Sequence, residues 1–361
     1  MQDDQNGFEV DYIHVGTGSR SGDAIALRFG NLNGPRSEQT VIVIDGGTQE
    51  SGDTLVQHIK DYYHTDHVDY VVSTHQDSDH ISGLKVVLEE LSVDYLLMHI
   101  PWEHEDEINS LFENSLGVGE FESELQNSLE NVRDIEEIAI EKEIAIVEPF
   151  EGTKNSEGSI HVLGPSLEFY CSLVPNFRGT PEARNPVTSA LDAILGRASE
   201  AISTLRETLD PSTETLDDNG RFTPENESSV ILLITVGEKK LLFTGDAGIT
   251  ALTKAADYAD SVGISLTDLH LFHVPHHGSR QNVGPTILNR IKATNSQISA
   301  SLQGAPKHPS KRVINALKRR QSAVYVTKGQ TTCYPWNAPS RLGWGPVAEE
   351  EFNFEVEGDN D

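Results

Sequence analysis

Seven residues, Thr74-His75-Gln76-Asp77-Ser78-Asp79-His80, put two imidazoles and two carboxylates on one turn, directly after the apolar run Tyr70-Val71-Val72. A strand end followed by a tight turn aims several nitrogen and oxygen donors at one point, which is what a divalent cation requires. A polar, solvated loop has no need of this density. Two further clusters stand downstream in matching contexts, which weighs against the bland reading.

The second cluster is Phe243-Thr244-Gly245-Asp246, and the third runs from His273 to Ser279 as HVPHHGS. Val230 to Val236 reads as a β-rich strand, and Gly237-Glu238 turns it into Lys240 to Phe243, a hairpin that ends on Gly245-Asp246. Leu269 to Val274 reads as the next strand, ending on Pro275-His276-His277-Gly278. A lone Gly-Asp or His-His pair says little. Three strand ends in order, each finishing in metal-type side chains, point to one site on one edge of a sheet sandwich.

The ordered set resembles the metallo-β-lactamase fold. Within it the chain is most similar to the ComEC-type competence hydrolase domain, the soluble nuclease-like part of a bacterial DNA-uptake protein. That group has His-x-Asp-x-Asp-His where the wider superfamily has a second histidine, and Asp77 stands at that position here. The likeness extends to VDYIHVGTGSRSGDAIALRF (Val10 to Phe29), VIVIDGG (Val41 to Gly47), NESSVILLI (Asn226 to Ile234) and KHPS (Lys307 to Ser310). It covers roughly residues 8–102 and 226–330. The family often has two glycines after the first motif, and only Gly83 is kept here.

The resemblance implies an α/β fold, an αββα sandwich with a helical insertion, and a hydrolase holding two divalent ions, Zn²⁺ or Mn²⁺, that activate a water. It makes Asp246 the bridging ligand. It puts His75 and Asp77 at one metal and Asp79, His80 and His276 at the other, with Asp79 also orienting the water. Asp77 in place of a histidine hardens the first site and brings Mn²⁺ level with Zn²⁺. His161 is the candidate for a further ligand by its order in the chain, against a packed histidine in mid-strand. His277 supports the ligands from behind or exchanges roles with His276, and Asp45 supports the first motif. His308 is expected at the substrate phosphate as a donor or general acid, with Ser279 and Lys307 as weaker phosphate contacts.

At 361 residues the chain can form one large α/β domain or two smaller ones. The polar start Met1-Gln2-Asp3-Asp4-Gln5-Asn6 does not read as a signal peptide, and no run approaches a membrane span. No membrane association is expected, and Cys171 and Cys333 build no disulfide framework, so the expected location is the cytoplasm.

The net charge of −30 at first opposes a nucleic-acid substrate. Its distribution changes the argument. Glu103 to Glu151 carries sixteen acids against Arg133 and Lys142, and Glu349 to Asp361 carries seven acids and no base. Leu269 to Ala348 contains no acid at all, yet it holds Lys311, Arg312, Lys318, Arg319 and Arg320 alongside the HHGS and KHPS motifs. Lys311 and Arg312 are therefore expected to bind phosphate, against the alternative of one solvated helix face.

The expected organisation is a hydrolase domain over 1–348 with an acidic helical segment at 103–143, an insertion at 166–225, and an acidic tail at 349–361. Ala190 to Leu209 reads as an amphipathic helix within that insertion. Either the acidic segment or the insertion can dock a regulatory protein partner, and the insertion can also cover the site as a lid. Three functions compete: a phosphodiesterase or nuclease acting on DNA or another nucleic acid; a different hydrolase on the same fold, for lactones, thioesters or small phosphodiesters; and a partner-regulated effector.

Overall fold

Alternation along the strands sorts their side chains into layers. A computed structural model describes residues 6–15, 22–117, 119–184, 207, 210, 213–302 and 308–357. Its first sheet opens with β1 (Gly7–Tyr12), β2 (Ala24–Gly30), β3 (Gln39–Gly46), β4 (His67–Val72), β5 (Ser92–Leu97) and β6 (Ala145–Val147). The second sheet collects β7 (Ile160–Gly164), β8 (Ile231–Val236), β9 (Lys239–Phe243), β10 (Leu269–His273), β11 (Ala293–Ile298) and β12 (Ala323–Val326). The last strand, β13 (Thr332–Trp336), returns to the first sheet and pairs antiparallel with β1. The orders are β13-β1-β2-β3-β4-β5-β6 and β12-β11-β10-β9-β8-β7.

In β3, Ile42 and Ile44 face inward while Val41 and Val43 face the outer helices; in β8, Leu232 and Ile234 face inward while Ile231 and Leu233 face out. The inward residues of both sheets form one dry layer with Phe8, Leu27, Phe243 and Leu271. Outside the first sheet pack α1 (Gln49–His58), α2 (Ser78–Glu90), α3 (Glu120–Ser128) and α4 (Glu130–Glu141). A short α5 (Leu167–Leu173) joins the same outer core through Tyr170 and Cys171. Outside the second sheet lie α6 (Ile249–Ser261), α7 (Pro285–Arg290) and α8 (Lys311–Arg319). This is the αββα sandwich, with the central strands β2, β3, β8 and β10 buried on both faces because helices cover the outer ones.

The acidic segment is explained by packing. Phe121, Leu125, Val132, Ile135 and Ala139 sink into the outer core, and the glutamates between them face water. Its apolar stripe is thus already covered within the chain. The amphipathic helix read at Ala190 to Leu209 lies outside the described residues, Glu207 excepted. Among the described residues no helix is long and apolar enough to cross a membrane.

Candidate metal centre

β4 delivers His75 and α2 delivers His80; the hairpin β8–β9 delivers Asp246, and the turn after β10 delivers His276 and His277. These five side chains meet at Asp246. His75 Nε2 lies 3.9 Å, His80 Nε2 3.5 Å and His276 Nε2 3.8 Å from Asp246 Oδ2, and His277 Nε2 lies 3.8 Å from Oδ1. Two donors on one tetrahedral ion at ~2.1 Å stand about 3.4 Å apart. The observed separations are therefore those of donors around shared ions.

The other nitrogen of each ring decides the tautomer. Thr74 Oγ1 donates to Asp45 Oδ2 at 2.6 Å, so it accepts from His75 Nδ1–H at 2.9 Å. His80 Nδ1–H donates to Asp45 Oδ2 at 2.8 Å. The side-chain amide of Asn282 donates to the Asp246 carbonyl at 2.9 Å, which turns its Oδ1 to His276 Nδ1 at 2.9 Å; the Asn226 side-chain amide meets the same Nδ1 at 3.0 Å. His277 Nδ1–H donates to the Ser299 carbonyl at 3.0 Å. His75, His80 and His277 thus carry a proton on Nδ1, and the Nε2 atoms of all four rings face Asp246.

Among the described residues nothing satisfies the inward atoms: His75 Nε2, His80 Nε2 and Asp246 Oδ1 are buried with no hydrogen-bond partner. Orphaned buried polar atoms cost roughly 1–3 kcal/mol each unless something fills the space between them. The donor set of imidazole nitrogens around one carboxylate fits divalent cations, and His80, Asp246 and His277 bring their ligand atoms within 4.8 Å of one another. Burial alone would raise the Asp246 pKa, but His276, His80 and His277 hold it well below the usual carboxylate range. Burial likewise opposes charge on His80, and Asp246 with Asp45 outweighs it and pulls its pKa up.

Local backbone conformation produces this convergence. His276, His277 and Gly278 all have positive φ, at 47°, 56° and 77°, which turns two successive imidazoles toward the same edge. Left-handed backbone at non-glycine residues costs about 1 kcal/mol or more each, and such strain concentrates at functional sites. Gly245 also has positive φ, 48°, and a side chain there would come within 2.8 Å of the Thr74 hydroxyl that holds His75.

The remaining candidate residues sort as follows. Asp77 ion-pairs with Arg178, which also bonds Glu225 at 3.0 Å. Asp79 stands half-buried in the first turn of α2. The His308 ring centre is 5.7 Å from that of His276 and 6.4 Å from that of His277. Burial, followed by those two neighbours, lowers the His308 pKa to about 4. A neutral imidazole at pH 7 is a hydrogen-bond donor rather than a strong acid. His161 points to the outer helical layer, where its Nε2 meets the Tyr258 hydroxyl at 3.1 Å on α6. It is not among the side chains around Asp246. Ser279 is buried, and its hydroxyl accepts the Gln281 amide at 3.2 Å within its own loop. Lys307 lies outside the described residues.

The basic helix differs from its expected role as an open phosphate surface. The Lys311 amide donates to Glu357 Oε2 at 3.0 Å, and Arg312, 3% exposed, reaches the Glu357 carbonyl at 3.4 Å. Lys318 pairs with Glu349 at 2.6 Å, Arg319 with Glu207 at 3.1 Å and Arg320 with Glu214 at 2.9 Å. Lys318, Arg319 and Arg320 are therefore paired by acids from the tail and the insertion.

Sequence reasoning missed Arg178, Asn282 and the pair Asp23 and His273. Arg178 and Glu225 belong to the insertion, and with Gln76, Asp77, Asn127 and Asn131 they line a polar cleft of about 350 Å³ beside the first motif. No local signal marks Arg178, because its partner Asp77 is remote in the chain.

Residues 36–161, from just before β3 into β7, match the family model of the metallo-beta-lactamase superfamily. Among solved structures it is similar to a variant of the CmlA beta-hydroxylase, at 11% identity and TM-score 0.44, covering 91% of this chain and 54% of that chain. A metallo-beta-lactamase from Hirschia baltica is similar at 12% identity and TM-score 0.32, covering 80% of this chain and 92% of that one. The hydrolase AbOPH of the beta-lactamase superfamily is similar at 12% identity and TM-score 0.33, covering 73% of this chain and 75% of that one. No curated protein matches the chain.

Proposed function

We propose that this protein is a metal-dependent phosphodiesterase whose substrate class is nucleic acid. The observation that carries the hydrolase reading is the convergence of four Nε2 atoms on Asp246, every Nδ1 being held from behind. Two divalent ions, Zn²⁺ or Mn²⁺, held by His75, His80, Asp246, His276 and His277 would polarise the scissile group and make water a better nucleophile near neutral pH. We assign Asp79 to orient that water and take its proton. Neutral His308 donates a hydrogen bond to a substrate oxygen.

The phosphodiester class rests on the ComEC-type pattern: the aspartate at position 77, the Gly22-Asp23-Ala24 segment and the His276-His277-Gly278-Ser279 turn. Arg178 adds an exposed guanidinium at the polar cleft, able to meet a phosphate. Cys171 and Cys333 are free thiols, in keeping with a reducing cytoplasm. One observation favours the second reading, a hydrolase of lactones, thioesters or small phosphodiesters: Lys318, Arg319 and Arg320 already have carboxylate partners.

The test is a panel of labelled single-stranded DNA, duplex DNA and RNA, with bis(p-nitrophenyl) phosphate and an aliphatic lactone, assayed with Mn²⁺, Mg²⁺ and Zn²⁺. Nucleic-acid cleavage that weakens steeply with salt is expected, because counterions are released on binding. Lactone hydrolysis without any phosphodiester cleavage would transfer the assignment to the second reading.

A further inference from the structure

Beneath the metal centre lies a buried carboxylate that the role assignments above do not use. Asp23 is 1% exposed, and among the described residues neither of its oxygens has a hydrogen-bond partner. It stands at the start of β2, where the backbone is clamped on two sides. Gly22 is packed so closely on the first motif that a Cβ there would lie 1.5 Å from the Asp79 carbonyl oxygen. The Ser299 hydroxyl donates to the Gly22 carbonyl at 3.4 Å. The carboxylate therefore has little freedom to move, and it faces two imidazoles. His273 Nε2 is 3.4 Å from Oδ2, and His277 Nδ1 is 3.8 Å from Oδ1.

A buried carboxylate without hydrogen bonds is costly, so its charge must be compensated nearby. His273 supplies part of that compensation. It too is buried, with both ring nitrogens lacking hydrogen-bond partners, and it stacks on Tyr12 at 5.6 Å between ring centres. The rest lies through His277, whose opposite nitrogen faces Asp246. The molecule contains a close parallel. Asp45, in β3, stands behind His80 at 2.8 Å, and Asp23, just before β2, stands behind His277 at 3.8 Å.

We propose that Asp23 is a positioning residue of the metal centre. Its charge, 3.8 Å from His277 Nδ1, favours the tautomer whose Nδ1–H goes to the Ser299 carbonyl, and so strengthens the Nε2 that faces Asp246 as a donor. A carboxylate behind a ligating histidine raises its basicity and fixes its tautomer. Asp23 also ties the two sheets at the centre, because His277 follows β10 of the second sheet while Asp23 stands just before β2 of the first. The proposal rests on His277 being a ligand.

The test uses the full chain and metal alone, without substrate. Affinity for Zn²⁺ and for Mn²⁺ is measured by chelator competition in wild type, Asp23→Asn and His273→Asn, with melting temperature recorded with and without metal. Asp23→Asn is expected to lose about 10- to 100-fold in affinity for one of two ions. His273→Asn is expected to lower the metal-free melting temperature while leaving affinity within about two-fold, because it touches Asp23 and no ligand. Asp23→Ser removes the charge with a smaller group and carries the comparison if the asparagine variant does not fold. A folded Asp23 variant with wild-type affinity overturns the proposal and leaves Asp23 and His273 as a structural pair. Wild type that binds no metal overturns the metal-centre reading itself.

Discussion

One oxygen of Asp45 accepts the Nδ1–H of His80 at 2.8 Å, and the other accepts the Thr74 amide at 2.8 Å. Thr74 in turn holds His75, so a single carboxylate with zero exposure aligns two of the four rings. Asp45→Asn replaces an acceptor by an amide that clashes with two donors. It is expected to lower metal affinity roughly 10–100-fold. It should also cost about 1–3 kcal/mol of stability, from donors left unsatisfied. Chelator competition and denaturant unfolding check the two effects separately.

His161→Ala is expected to leave metal content unchanged, because that ring meets Tyr258 on α6 rather than Asp246. Asp246→Ala is expected to abolish metal binding while the sheets stay packed, since the residue lies at a strand end. Elemental analysis after reconstitution with Zn²⁺ or Mn²⁺ compares the two. Loss of one ion from His161→Ala would return that histidine to the ligand set.

Acid sensitivity should arise partly far from the metal centre. Asp11 is fully buried and accepts from both Arg341 Nη atoms, at 2.7 and 2.9 Å, and from the Tyr63 hydroxyl at 2.6 Å. Burial would raise its pKa, but His58 and Arg341 overcome this and lower it from 3.8 to about 2. A carboxyl with a depressed folded pKa adds stability that is fully present above its unfolded value and is lost as pH falls through the folded one. The contribution is roughly 2 kcal/mol at neutral pH and disappears between about pH 4 and pH 2. Urea unfolding of wild type and Asp11→Asn should show a stability gap at pH 6 that narrows by pH 3. A gap independent of pH would contradict the assignment.

The tail's acids should compete with polyanions for the basic helix. Replacing Glu349, Glu350 and Glu357 together by glutamine is expected to raise retention on immobilised single-stranded DNA several-fold at low salt. The gain should vanish near 0.5 M salt, where charges are screened over a few ångströms. Each exposed pair contributes only about 0–1 kcal/mol, so the melting temperature should fall by no more than a few degrees. Unchanged retention would mean that α8 is not a polyanion surface even when uncovered.

The residue types that gather at Asp246, their order and the strands that carry them were legible in the chain itself. His75, His80, Asp246, His276 and His277 announce themselves because each cluster is short and closes an apolar run, and period-two alternation is a local property of neighbouring residues. Folding alone decided the rest. It chose which nitrogen of each histidine faces the centre, since Thr74, Asp45, Asn282 and Ser299 come from different strands and loops. It turned His161 outward to Tyr258 and set Arg178 against Asp77. It also laid Glu349 and Glu357 on a helix whose bases looked free in one dimension. Sequence spacing fixes what is near along the chain, but burial and charge compensation act between groups that only the closed sandwich brings together.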